Sequence, residues 1–206
     1  MALEDVWMLA PNLPVLGEKD TPTQLSDYWN EGSTVFYFLR HFGCPLCQVH
    51  LSEIREHHAE FERRGVQVVA VGQGTGNEAH GFCSEWQVGI PCLGDPERTT
   101  YQEYGLQRGS WWSVVVRSLF TRPLHTLRLL FDADLDGIRL SSTDLLQLPG
   151  VAIVEWGGTL RSIHIAAQPE DMPTPSEVCG ALDRLHLSVS SGGYAGGYAA
   201  ARSYRY

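Results

Sequence analysis

The chain has 206 residues, enough for one domain with a full hydrophobic core and some length left for an insertion or tail. Hydrophobic residues make up 43% and charged residues 19%, which excludes a disordered chain. The formal net charge of -9 argues against nucleic acid, and against an anionic membrane surface, as partners.

Met1 to Pro14 lacks a basic start followed by an apolar run, and no stretch is long and apolar enough to cross a bilayer. The expected location is therefore the cytoplasm. Five cysteines do not make a disulfide scaffold, and the odd number leaves at least one thiol unpaired in a monomer. In a reducing compartment, a close cysteine pair points to catalysis or metal binding.

Pro11, Pro14 and Gly17 predict an extended, irregular first segment. The run Thr34-Val35-Phe36-Tyr37-Phe38-Leu39 is apolar, β-branched and aromatic, and reads as a strand buried on both faces. Gly43 ends it, and Cys44-Pro45-Leu46-Cys47 follows. Leu51, Ile54, His58 and Phe61 then recur at helical spacing, with Glu53, Arg55, Glu56, Glu60 and Glu62 on the other face. Gly65 suits a helix stop, and Val66 to Val71 reads as the next strand. A strand-helix-strand unit of this kind predicts two parallel strands.

Gly72-Gln73-Gly74-Thr75-Gly76 reads as a strand-to-helix turn rather than a phosphate cradle, because Asn77-Glu78 stands where a Lys-Ser/Thr pair would be needed. Asn77 to Trp86 predicts a short helix, Ile90 to Leu93 a short strand, and Glu97 to Tyr104 another short helix. Residues 106–148 read as a helical insertion, with Trp111 to Phe120 and Leu124 to Phe131 split by Pro123. Asp132, Asp134 and Asp136 imitate the opening of a calcium loop, but Thr143 replaces the closing glutamate. Val151 to Glu155, Gly157-Gly158 and Leu160 to Ala166 read as a hairpin, and Ser176 to Leu187 as a last helix. Residues 1–187 thus form the expected domain. The Gly/Tyr-rich tail, 188–206, has a composition that cannot repay the entropy of ordering.

The chemistry-bearing motif is Cys44-x-x-Cys47. The attacking form of cysteine is the thiolate, and a helix N-terminus favours that anion through its unpaired N–H groups and dipole. Pro45 suits the first helical position, and Arg40 and His41 are placed to add positive potential. Cysteines three apart on a first turn can attack and resolve in sequence. A zinc site wants four ligands; His50 offers a third, but no second cysteine pair exists, so no metal is expected. Cys83, Cys92 and Cys179 are isolated and read as small core fillers, with Cys83 or Cys179 as alternative resolving thiols.

The run Arg40-His41-Phe42-Gly43-Cys44-Pro45-Leu46-Cys47 resembles the peroxiredoxin-like branch of the alkyl hydroperoxide reductase/thiol-specific antioxidant family, which contains the peroxiredoxin-like 2 proteins. The likeness continues through Tyr104 to Ser110, Gln147 to Val154 and Pro169 to Leu182, and spans residues 11–187. It implies a thioredoxin-like α/β fold, with a central mixed sheet flanked by helices. It also implies thiol redox activity without a bound cofactor. Thioredoxin uses the first cysteine of its pair, here Cys44. Peroxiredoxins use the cysteine of a Thr-x-x-Cys motif, which aligns with Cys47 and sets Cys44 at the threonine; Arg40 stands where that motif carries a proline. Pro149 matches the proline before the strand that flanks the redox site, cis in thioredoxin-like folds; an ordinary turn proline is the plain alternative.

The candidate catalytic set is therefore Cys44, Cys47, Arg40, His41 and Pro149. The implied partners are a thioredoxin- or glutathione-type thiol reductant and a disulfide, peroxide or small-molecule substrate. A homodimer is left open. A reading from another class keeps the fold as a non-catalytic binding module, with the 106–148 insertion, including Trp111-Trp112, or the tyrosine tail as its surface.

Overall fold

The computed structural model describes residues 3–42, 44–109 and 144–185. The two helices expected inside 111–131, the aspartate loop from Asp132 and the tail from Ser188 lie outside the described residues. Among the described residues no helix is long and apolar enough to cross a membrane.

The architecture is an eight-stranded mixed sheet with helices against it. Its strands are β1 (Glu4–Leu9), β2 (Pro14–Leu16), β3 (Pro22–Gln24), β4 (Thr34–Phe38), β5 (Gln67–Gly72), β6 (Cys92–Gly94), β7 (Gly150–Glu155) and β8 (Thr159–Ile165). The helices among the described residues are α1 (Ser26–Trp29), α2 (Pro45–Arg63), α3 (Gly76–Glu85), α4 (Thr99–Glu103) and α5 (Pro175–Leu185). The strand order across the sheet is β1-β8-β7-β4-β5-β6-β2-β3. β4 lies at its centre, parallel to β5 and antiparallel to β7.

Every residue of β4 is buried, as the unbroken apolar run requires. Alternate side chains serve two cores. Val35, Tyr37 and Leu39 pack with Leu51, Ile54, Phe61, Val178 and Leu182 from α2 and α5. Phe36 and Phe38 pack on the opposite face with Trp29, Tyr101 and Tyr104. The buried Tyr101 hydroxyl lies 2.6 Å from the Leu39 carbonyl and 3.1 Å from that of Val71, bracing the ends of β4 and β5 where the chain turns toward α2 and α3.

The first segment differs from expectation. It is not irregular: β1 pairs with β8 at one sheet edge, while β2 and β3 form a hairpin beside β6 at the other. β1 buries no residue fully, so it carries no inside–outside alternation to read from sequence. Pro22 sits in the edge strand β3, and Pro14 lies in β2 away from Leu16, the one position that pairs with β6, so a missing N–H is tolerated at both.

The glycine-rich loop is a packing device. Thr75 and Glu78 form a capping box that starts α3. A Cβ on Gly72 would lie 2.3 Å from the Phe42 ring, and one on Gly76 would lie 1.8 Å from the Gly17 carbonyl oxygen. These close approaches account for both glycines.

Candidate active site

The central strand delivers the site. After Phe38, buried Leu39 donates its N–H to the Val71 carbonyl at 2.7 Å, which holds the chain end against β5. Cys44 then takes the N-cap position of α2 with extended backbone, and Pro45 opens the helix. This puts Cys47 on the first turn, three residues on. The Cys44 N–H donates to the His41 carbonyl at 3.1 Å, closing the turn.

Both sulfurs are covered: Cys44 is 1% exposed and Cys47 3%. The neighbouring Cys47 thiol is the main reason the Cys44 pKa falls to about 6. Burial opposes the fall, while the Arg40 charge and the amides of Cys47 and Leu46 assist it. Those amides act at a distance, since no first-turn N–H makes a close cap bond to the sulfur. Cys47 moves the opposite way and is raised. The adjacent Cys44 sulfur, burial and the charge of Cys44 outweigh the amides of Arg40 and His41. The pair therefore favours one anion, on Cys44, beside a protonated Cys47.

Arg40 is the positive partner. Its Nη1 lies 3.7 Å from Cys44 Sγ. Its Nη2 donates to the Leu145 carbonyl at 2.6 Å, and its Nε to the Gln147 carbonyl at 3.2 Å. The guanidinium thus spans from the thiol to the segment that leads into β7. His41 does not share this role. Burial, then the Arg40 charge, lowers its pKa to about 4, so the ring is neutral near physiological pH. The expectation that both residues add positive potential is corrected to Arg40.

Pro149 is buried and directly precedes β7, whose Gly150 pairs with Phe38. This sets it beside the end of β4. No peptide bond among the described residues is cis, so the Leu148–Pro149 bond is trans. His50 faces along its own helix, with Nδ1 3.3 Å from Glu53 Oε2.

Two sequence expectations for the other cysteines need correction. Cys83 and Cys92 are not isolated fillers: their sulfurs are bonded, joining α3 to β6. A bonded Cys83 cannot act as a resolving thiol. Cys179 is an unbonded, buried thiol, and burial pushes its pKa up to about 11. That makes it a poor nucleophile.

Sequence reasoning missed an ion-pair cluster at the start of the segment on which Arg40 lands. Asp144, nearly buried, meets Arg98 Nη1 and Arg108 Nε, each 2.5 Å from its Oδ2. Burial alone would raise the Asp144 carboxyl; the hydrogen bonds from Arg108 and the Leu146 N–H, with both arginine charges, bring it below its usual range. No local motif marks these residues, because they come from three separate stretches of chain.

Residues 8–129 match the AhpC/TSA family. A prostamide/prostaglandin F synthase of Danio rerio is 28% identical over 197 residues, covering 90% of this chain and 94% of that protein. A peroxiredoxin-like 2C protein of Bos taurus is 26% identical over 98 residues, covering 47% of this chain and 43% of its own. Among solved structures, peroxidoxin BcpB of Mycobacterium tuberculosis superposes with a TM-score of 0.62 at 14% identity, covering 88% of this chain and 96% of that one. At that identity the likeness is one of fold: a peroxiredoxin-type, thioredoxin-like architecture.

Proposed function

The chain belongs to the AhpC/TSA family, and from that premise we propose that it is a dithiol reductase in which Cys44 attacks and Cys47 resolves. The observation that carries this reading is the Cys44 sulfur, lowered to about 6 by the Cys47 thiol and Arg40. A sulfur of that pKa is largely ionised at neutral pH and still nucleophilic.

The Cys44 thiolate attacks one atom of a weak S–S or O–O bond in a small substrate. With a disulfide, the first product is a thiol and Cys44 is left in a mixed disulfide. With a hydroperoxide, the first product is an alcohol and Cys44 becomes a sulfenic acid. The Cys47 thiol then loses its proton and attacks the Cys44 sulfur. It expels the second thiol in one case and water in the other. Both routes leave a Cys44–Cys47 disulfide and transfer two electrons to the substrate. A thioredoxin- or glutathione-type thiol returns the pair to the dithiol. The full-length match to a protein named for prostaglandin F synthesis supports a small organic substrate.

At 1% exposure, Cys44 can meet a substrate only when the side chains over it part, so turnover includes an opening step. That burial also supports a second reading, a binding module that keeps the fold without turnover. Peptide mass mapping separates the two. The reduced protein, given one equivalent of cumene hydroperoxide or of a small disulfide, should yield a Cys44–Cys47 disulfide and a stoichiometric amount of reduced product. Recovery of both thiols untouched after complete mixing would establish the binding module instead.

A further inference from the structure

Gln73 follows β5, outside any strand or helix, yet is only 2% exposed. A buried carboxamide is costly unless its groups are partnered. Here they are. Nε2 donates to the Arg40 carbonyl and, at 3.1 Å, to the Asp144 carbonyl. Oε1 accepts the Asp144 N–H at 2.8 Å. One side chain therefore ties together two stretches of backbone that are far apart in sequence.

The Arg40 side chain bridges those same two stretches. It leaves the backbone at the residue whose carbonyl Gln73 holds, and it lands on the carbonyls of Leu145 and Gln147, just beyond the Asp144 peptide that Gln73 also holds. Gln73 thus fixes both the origin and the landing of the guanidinium. Asp144 extends the brace, since its Oδ1 accepts the Leu146 N–H at 3.0 Å. Gln73 itself has no hydrogen bond to either active-site sulfur among these contacts. A guanidinium displaced outward into water would lose most of its influence on the thiolate, because charge interactions weaken with distance and solvent.

We propose that Gln73 is a positioning residue, holding Arg40 over Cys44 and so setting how much thiolate the enzyme carries. This rests on Cys44 being the nucleophile. The test is a double-mutant comparison of Gln73→Met, Arg40→Ala and the two combined. Met keeps the length and fills the buried site without hydrogen-bonding groups. The readouts are the Cys44 pKa, from thiolate ultraviolet absorbance, and the rate of Cys44 alkylation by iodoacetamide across pH.

Gln73→Met should shift the Cys44 pKa upward by about one unit and slow alkylation below that pKa by about tenfold. In the Arg40→Ala background the same change should add nothing. Should Gln73→Met fail to fold, Gln73→Glu, which keeps the acceptor for the Asp144 N–H, replaces it; its upward shift should shrink when Arg40 is absent. An unchanged Cys44 pKa in Gln73→Met, or an equal shift with and without Arg40, would overturn the inference while leaving the nucleophile intact. A wild-type Cys44 with an ordinary thiol pKa would instead remove the reading on which it stands.

Discussion

Cys44 and Cys47 lie three residues apart on the first turn of one helix, whereas Cys83 and Cys92 lie nine apart, one in α3 and the other at the start of β6. All four belong to one hydrophobic core. The first pair is unbonded and buried, with a guanidinium at one sulfur. The second pair is already joined and ties a helix to a strand. Burial is common to both, so burial does not decide reactivity. The differences are the neighbouring Cys47 thiol, then Arg40 and the helix N-terminus, which favour an anion at Cys44 despite the desolvation that opposes it.

Removing one pair at a time sharpens that contrast. Cys44→Ser should reduce turnover to background, because the hydroxyl is not ionised at working pH. Cys83→Ala with Cys92→Ala should leave turnover within about twofold while lowering unfolding free energy by about 2–3 kcal/mol, the loop-closure value for so short a loop. Steady-state kinetics and denaturant titration check both. Loss of turnover in the Cys83/Cys92 variant at full folding would break the division of labour.

A smaller effect belongs to the charge. Arg40→Ala should raise the Cys44 pKa by about one unit, with the matching loss of alkylation rate on the acid side. His41→Phe should leave the acid limb of that profile in place, since the ring is neutral above about pH 4. An acid limb that follows His41 would move the electrostatic role to that residue.

A further effect is on stability against pH. Cys44 ionises near 6 in the fold and near 9 when unfolded. Between those values the unfolded chain binds the extra proton, so stability rises with pH there. The contribution is complete above pH 9 and lost as pH falls through 6. Cys44→Ser should flatten the wild-type slope in that window, and a parallel slope in the two proteins would contradict the assignment.

The sequence makes some of this legible and hides the rest for physical reasons. β4, α2 and β5 are readable because burial on both faces forces an apolar run and because Pro45 and Gly65 punctuate the helix between them. The cysteine pair is readable because two cysteines three apart, with Pro45 between them, mark the start of α2 locally. β1 is not, since its residues are largely exposed and carry no period. The landing of Arg40 on Leu145 and Gln147 joins residues more than a hundred positions apart, and such pairs leave no local trace. Gln73 reads as one more turn residue among glycines until its three partners are known. The Cys83–Cys92 bond matches no short motif, because the Trp86 to Pro91 turn between them sets its geometry.

The most direct test is to titrate the ultraviolet absorbance of the fully reduced protein, comparing wild type with Cys44→Ser. The account predicts one thiolate appearing near pH 6 that vanishes in the variant, with Cys47 and Cys179 ionising only in the alkaline range. A wild-type curve with no step below pH 8, or a step that survives the loss of Cys44, would contradict it.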